Sequence, residues 1–355
     1  MTEKPRPYSL LYKQSPWIHN SNNIWLASTI TLNRNIEKFK FPGKLPADRR
    51  KQILSLLGQD LLGLSLLKSP KLIKAEDMQP IEKEFLSEHF LSDRSLQQTH
   101  IGEAFVIDES GEFLAILNLG DHLTLQWIDF REELEATWDR LVKIEKELST
   151  TINFAFSPRF GFLTSDPTQC GTALTARIFL HTPGLIYLDR FDEIIKKYKE
   201  ETIGQTSLQG NPADLVGDIV VFYNLYTLGL TEENILTSLR TLATKILVEE
   251  KSARLFLKQE KNLEIKDRIS RAYGILLHSY QIEAIEALHA ISLLKLGVDL
   301  EWITGITHAA LNELLLESLR AHLLCHYEEQ VNQEDIPRKR AEFIHKSLKN
   351  VQLAI

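Results

Sequence analysis

The sequence predicts an α+β chain, with a mixed portion of helices and strands to about residue 250 and a helical portion from 251 to 355. Three observations predict it. Apolar residues recur at helical spacing early in the chain, the period changes to two between Phe105 and Trp127, and helical spacing returns beyond Glu249.

Over residues 44–67, Ile53, Leu56, Leu57 and Leu61 fall at i, i+3, i+4 and i+8, so one face of a helix is buried. A second helix is predicted over 80–90. From Phe105, the run AFVID, turn-forming residues at 108–111 and the run EFLAILN read as a β-hairpin. In HLTLQW, Leu123, Leu125 and Trp127 share one strand face while Thr124 and Gln126 share the other. The stretch SLQGNPA at 207–213 has Gly and Pro without apolar pattern and is a predicted loop. In the C-terminal portion, Ile265, Ile269, Ala272 and Leu276 mark a buried helical stripe.

A composition of 43% hydrophobic and 25% charged residues suits an ordinary globular protein. The net charge of -7 and the pI near 5.9 argue against nucleic-acid and anionic-membrane partners. No stretch approaches the ~18 apolar residues of a membrane span, and the N-terminal MTEKPRPYSLLYKQ has no apolar signal core, so a cytoplasmic location is expected. Cys170 and Cys325 are too few for a disulfide framework or a four-ligand zinc site; both are expected to be reduced and structural, and no metal site is expected.

Four stretches, NIWLASTITLNRN (23–35), AILNLGDHLTLQ (115–126), FGFLTSDPTQCGTALTARIFLH (160–181) and GDIVVFYNLYTLGLTE (217–232), together resemble the ATP:guanidino phosphotransferases, most closely the bacterial protein-arginine kinases. EKSAR (250–254), EIKDRISRAYGILLHS (264–279) and LKLGVDL (294–300) extend the resemblance through the helical portion. The resemblance implies a phosphagen-kinase-like (glutamine-synthetase-like) antiparallel sheet flanked by helices over 1–250, followed by a helical dimerisation or interaction domain over 251–355. It also implies a mechanism in which arginines clamp the nucleotide phosphates and a carboxylate orients the guanidinium.

This chain departs from the family at those charged positions. The pattern SSRIRLARN stands as ASTITLNRN, so two arginines are Thr29 and Thr31. NEEDHIRIQ stands as NLGDHLTLQ, placing Leu119 and Gly120 at the acidic positions and Thr124 at the arginine. In CPTNVGTGLRAS the cysteine is Asp166 and the arginine Thr175, and the arginine of RGxxGEGSE aligns with Thr206. Charge-assisted hydrogen bonds contribute roughly 1.5 to 3 kcal/mol each, so five such losses predict on the order of ten kcal/mol less phosphate binding. A catalytically inactive, pseudokinase-like member is therefore expected, with no cofactor.

His122 and His181 match family histidines near the nucleotide and read either as remnants of that pocket or as polar residues retained for packing. A third family histidine aligns with Phe90 or is displaced to His89. Asp166 reads as a general base or as a helix N-cap before Pro167, and Cys170 as buried packing. The family's phosphoarginine pocket has NQEDIPRKR as its counterpart: Asp335 matches, Glu334 replaces an arginine, Pro337 interrupts the pattern, and Arg338 and Arg340 could restore positive charge.

The leading expectation is a binding or scaffolding protein, a homodimer whose implied partners are a small zinc-binding activator protein and the Clp chaperone and protease machinery. One alternative is an active protein-arginine kinase using ATP and magnesium, with its cage rebuilt from Arg34, Arg159 and Arg177. Another is a phosphoarginine-binding module.

Overall fold

The computed structural model describes residues 20–92, 96, 101–260, 262–327 and 331–354; the N-terminal stretch read above lies outside them. In chain order the elements begin with β1 (Trp25–Arg34), α1 (Ala47–Leu62), β2 (Lys71–Lys74), α2 (Pro80–His89), β3 (Ala104–Ile107), β4 (Phe113–Leu117), β5 (Leu123–Asp129) and α3 (Leu134–Leu148). They continue with β6 (Phe156–Ser157), β7 (Gly161–Phe162), β8 (Leu174–His181), α4 (Pro183–Tyr187), α5 (Phe191–Lys197), β9 (Ile203–Ser207), β10 (Ile219–Asn224) and α6 (Glu232–Glu260). The last are α7 (Leu263–His278), α8 (Ala284–Asp299), β11 (Ile303–Thr304), α9 (His308–Glu317), α10 (Arg320–Leu324), α11 (Ile336–Ser347) and β12 (Gln352–Leu353). The main sheet has strand order β2-β3-β4-β5-β1-β8-β10-β9, and the pairs β2/β3, β3/β4, β4/β5 and β5/β1 are antiparallel.

Two compact units are resolved by their internal contacts. The first holds Ser28–Arg177 and Tyr223–Leu239; the second holds residues 20–27, Ile178–Phe222 and the chain from Arg240 onward. The expected division near residue 250 falls inside α6.

In the first unit, alternation along β1 buries Ile30 and Leu32 completely and turns Thr29, Thr31 and Asn33 to the opposite face. The β1/β5 register sets Thr31 opposite Gln126 and Asn33 opposite Thr124. The predicted first helix is α1, which buries Ile53, Leu57 and Leu61 while Leu56 stays exposed. The predicted second helix is α2, whose start is closed by a capping box between Gln79 and Glu82. The hairpin is β3/β4, with Leu114 paired to Ile107.

The second unit has a helical core in which α7 buries Ile265, Ile269, Ala272 and Leu276, the stripe read from the sequence. It is not wholly helical, since β11 and β12 pair through Ile303 with Leu353 and Thr304 with Gln352. Two-residue strands are too short to leave a period of two in the sequence.

A buried polar network runs through this unit. The Arg254 guanidinium is shared among Glu250, Asp299 and the ring and carbonyl of His181. Glu250 is fully buried and also accepts the Gly184 and Leu185 amides at the start of α4. Lys295 is fully buried and donates to the neutral Asn312 amide. Burial, reinforced by the Arg254 charge and opposed by Asp299, lowers the Lys295 ammonium to about 7.

The unfolded chain holds that proton up to about pH 10.4, so between about 7 and about 10.4 the unfolded state binds more protons and stability rises with pH. Lys295→Met is expected to be more stable than the wild type at neutral pH. Its advantage should shrink by about 2 kcal/mol as pH is raised toward 9, measured by urea denaturation. An advantage independent of pH would contradict this reading.

Candidate active site

Thr29, Thr31, Leu91, Ser92, Gln126, Gln169, Thr175 and Arg177 line a cleft in the first unit. Strand alternation presents them: Thr29 and Thr31 from β1, Gln126 from β5, and Thr175 and Arg177 two residues apart on β8. Leu91 has φ +48, which makes a sharp turn at the end of α2 and brings Ser92 to the wall. Gln126 is anchored by donating its amide to the Phe90 carbonyl at 2.6 Å. No carboxylate belongs to the described lining residues; hydroxyls, two amides and the Arg177 guanidinium do. A wall of hydrogen-bond donors with one permanent positive charge suits an oxyanion.

The loop carrying Gln169 is fixed on both sides. Asp166 caps the one-turn helix Pro167–Gln169 by accepting the Thr168 amide at 3.0 Å and its hydroxyl at 2.7 Å. Those hydrogen bonds hold the Asp166 carboxyl below its ordinary value, so it is ionised and exposed at neutral pH. Gly171 follows with φ +114, and a Cβ there would lie 2.2 Å from the Thr227 carbonyl oxygen. Only glycine permits that approach. Cys170 is half-buried rather than buried, with its Sγ 3.5 Å from the Thr164 hydroxyl.

Of the other residues singled out by the motifs, Thr124 faces Asn33 and donates to its Oδ1 at 2.8 Å. Leu119 and Gly120 form the β4/β5 turn, where Gly120 has φ +78. Thr206 lies on β9, in the second unit. His122 is buried: its Nδ1 accepts the Ile36 amide and its Nε2 donates to the Lys40 carbonyl. Burial lowers its pKa, and the ring is neutral with the proton on Nε2.

His181, in the second unit, is also fully buried. Its Nδ1 accepts from Arg254, and its Nε2 donates to Ser292, whose hydroxyl donates onward to Asp218. Burial first, and then the Arg254 charge, holds it well below its ordinary value. His89 meets the Gly111 carbonyl at 2.8 Å. All three imidazoles are thus engaged by protein groups.

The three arginines considered for a rebuilt cage separate in space. Arg34 is 1% exposed, pairs with Glu145, donates to the Asn33 and Thr172 carbonyls and lies 3.5 Å above the Phe162 ring. Arg159 lies over Phe160. Among the three, only Arg177 belongs to the cleft.

Near the C-terminus, Asp335 pairs with Arg338 at 3.0 Å, while Arg338 and Lys339 both pair with Glu342 in a solvated charge run; Glu334 is exposed beside them. Pro337 sits in the first turn of α11, where its missing N–H is not needed. Arg340 does not join that run, because it is 2% exposed and donates to the Ser318 and Ile282 carbonyls. The motif comparison does not point to Gln126, Gln169 or Ser92. Both glutamines nevertheless stand inside the quoted motifs.

The family model described as ATP:guanido phosphotransferase, C-terminal catalytic domain, matches residues 59–253, and that of the protein-arginine kinase McsB C-terminal domain matches 262–354. The chain belongs to the protein-arginine kinase family. A protein-arginine kinase of Chlamydia pneumoniae is 38% identical over 312 residues, covering 88% of this chain and 86% of that one. Another from Chlamydia muridarum is 35% identical, covering 86% and 85%, and one from Halothermothrix orenii is 30% identical, covering 91% and 92%. Lombricine kinase has the same fold, with TM-score 0.57, 18% identity and coverage of 65% of this chain and 67% of that one. The duplicated taurocyamine kinase from Schistosoma mansoni gives 0.54 at 25% identity, covering 66% and 33%.

These relatives correct the expectation of a non-catalytic member. Chains this similar over most of their length carry the name of a kinase, which points to an enzyme. The physical weakness of that expectation is that it weighs the charged groups lost at the motif positions and leaves out the donors the cleft still holds. The threonine faces of β1 and β8 still line a cleft of hydrogen-bond donors that includes a guanidinium. Among the described residues no helix is long and apolar enough to cross a membrane.

Proposed function

We propose that the chain is a protein-arginine kinase, transferring the terminal phosphoryl group of ATP to arginine side chains of other polypeptides. The observation that carries this reading is the cleft that Thr29, Thr31, Thr175 and the Arg177 guanidinium line together. Hydroxyls and a guanidinium are groups that hydrogen-bond phosphate oxygens, and Mg²⁺ brought by the nucleotide would supply further charge neutralisation.

In the transfer, the bond from the γ-phosphorus to the bridging β-phosphate oxygen breaks, and a guanidinium nitrogen forms the new N–P bond as it loses a proton. The products are ADP and phosphoarginine. Arg177 neutralises charge on the phosphoryl oxygens. Thr29, Thr31 and Thr175 supply neutral hydrogen bonds that position it. Asp166, exposed and ionised at the head of the turn that ends in Gln169, would pair with the target guanidinium and accept its proton once released from the Thr168 hydrogen bonds that lower its basicity.

Release of ADP from Mg-ATP is expected to be stimulated by an arginine-rich protein and not by the same protein with its arginines converted to citrulline. Equal release with both would refute the reading. Asp166→Asn is expected to lower kcat about 10²-fold, with KM for ATP unchanged within about two-fold. A change confined to KM would remove Asp166 from proton transfer.

A further inference from the structure

Beside the cleft, three side chains form a row of hydrogen bonds. Thr124 Oγ1 donates to Asn33 Oδ1 at 2.8 Å, and Asn33 Nδ2 donates to Gln169 Oε1 at 3.0 Å. Thr124 and Asn33 are each 1% exposed, while Gln169 is half-buried and lines the cleft. In the family patterns above, these positions carry arginine, alanine and asparagine. All three members of the row therefore differ in this chain, and they differ together.

An amide side chain has an acceptor end and a donor end. With Oε1 turned to Asn33, the Gln169 NH2 is left for the cleft, where Thr29, Thr31, Thr175 and Arg177 also stand. The backbone enforces this placement from both sides. Gln169 ends the turn capped by Asp166, and Gly171 beyond it fits closely under Thr227. Asn33 is held opposite Thr124 by the β1/β5 register. Were the row reversed, Gln169 would present a carbonyl oxygen to the cleft and repel an anion.

We propose that Gln169 is a phosphate-contacting residue of this chain, and that Asn33 and Thr124 are positioning residues that fix which end of its amide faces the anion. The inference rests on the reading that the cleft receives the nucleotide phosphates. It assigns a residue of the phosphate cradle that the lost arginines do not reveal. Gln169 supplies a neutral, pre-oriented donor pair.

The test measures binding of tripolyphosphate and of Mg-ATP by calorimetry, with unfolding temperature recorded for each variant. Gln169→Glu, which keeps size and removes the NH2, is expected to weaken both ligands about 30-fold at an unchanged unfolding temperature. Asn33→Asp, which leaves no donor at position 33, forces Gln169 to turn its NH2 inward. It is expected to weaken both ligands about ten-fold, although residue 33 touches neither. Gln169→Glu combined with Asn33→Asp should be no worse than Gln169→Glu alone.

If Asn33→Asp does not fold, Thr124→Val serves in its place, with an expected loss of about three-fold that Thr124→Ser restores. Gln169→Glu binding tripolyphosphate within two-fold of wild type would overturn the proposal, as would full additivity of the two changes. Wild type that binds tripolyphosphate in a Gln169-dependent manner without forming phosphoarginine would support this inference while refuting the kinase reading. Wild type that binds neither ligand would contradict both.

Discussion

Replacing Arg177 by alanine is expected to lower kcat/KM for Mg-ATP about 10³-fold. A single arginine on the transferring group is worth about 10³ to 10⁵ in related phosphoryl transfers. Here the other described lining groups are hydroxyls, amides and Leu91, so in the proposed reading Arg177 is the cation that meets the phosphates. Lysine at 177 keeps the charge and loses the planar fork, and it should recover only part of the rate. The unfolding temperature of the variant, recorded alongside, separates a kinetic effect from a structural one. The measurement is steady-state phosphorylation of an arginine-rich protein. A loss of less than about three-fold would mean that phosphate binds elsewhere.

Arg254→Met is expected to cost about 3 to 5 kcal/mol of stability, read from urea denaturation. Arg254 is 5% exposed and its partner Glu250 is fully buried, so removing the guanidinium leaves an uncompensated carboxylate among apolar side chains. Asp299 loses the same partner, although His308 and Asn23 continue to donate to it. Burial is the main influence on Glu250 and raises its pKa, while Arg254 opposes that rise. The variant should therefore be least deficient at acidic pH, where Glu250 binds a proton and its burial no longer isolates a charge. Glu250→Gln introduced into Arg254→Met should return part of the stability. A loss below about 1 kcal/mol would show that the network is hydrated rather than buried.

Local pattern carried much of the fold. The stripe of α7, the β3/β4 hairpin and the shared face of Thr29 and Thr31 each follow from a spacing of a few residues. Less legible were features joined by distant partners. Arg34 looks available for phosphate in the sequence, yet Glu145, 111 residues away, neutralises it and Phe162 covers it. Arg340 sits in a run that reads as surface charge but is spent on two buried carbonyls. The site was half legible for a related reason. Motifs located the strands that form the cleft, whereas the value of Gln126 and Gln169 depends on which end of each amide is anchored. No spacing rule encodes that.

In the proposed reading, a cleft of neutral donors with one guanidinium among its described lining residues still transfers phosphate to protein arginine. Its most direct test is mass spectrometry of an arginine-rich protein incubated with Mg-ATP and either wild type or Arg177→Ala. Acid-labile phosphoarginine is expected with wild type, and a yield at least about 100-fold lower with the variant. Absence of phosphoarginine with wild type, or equal yields from the two, would contradict it.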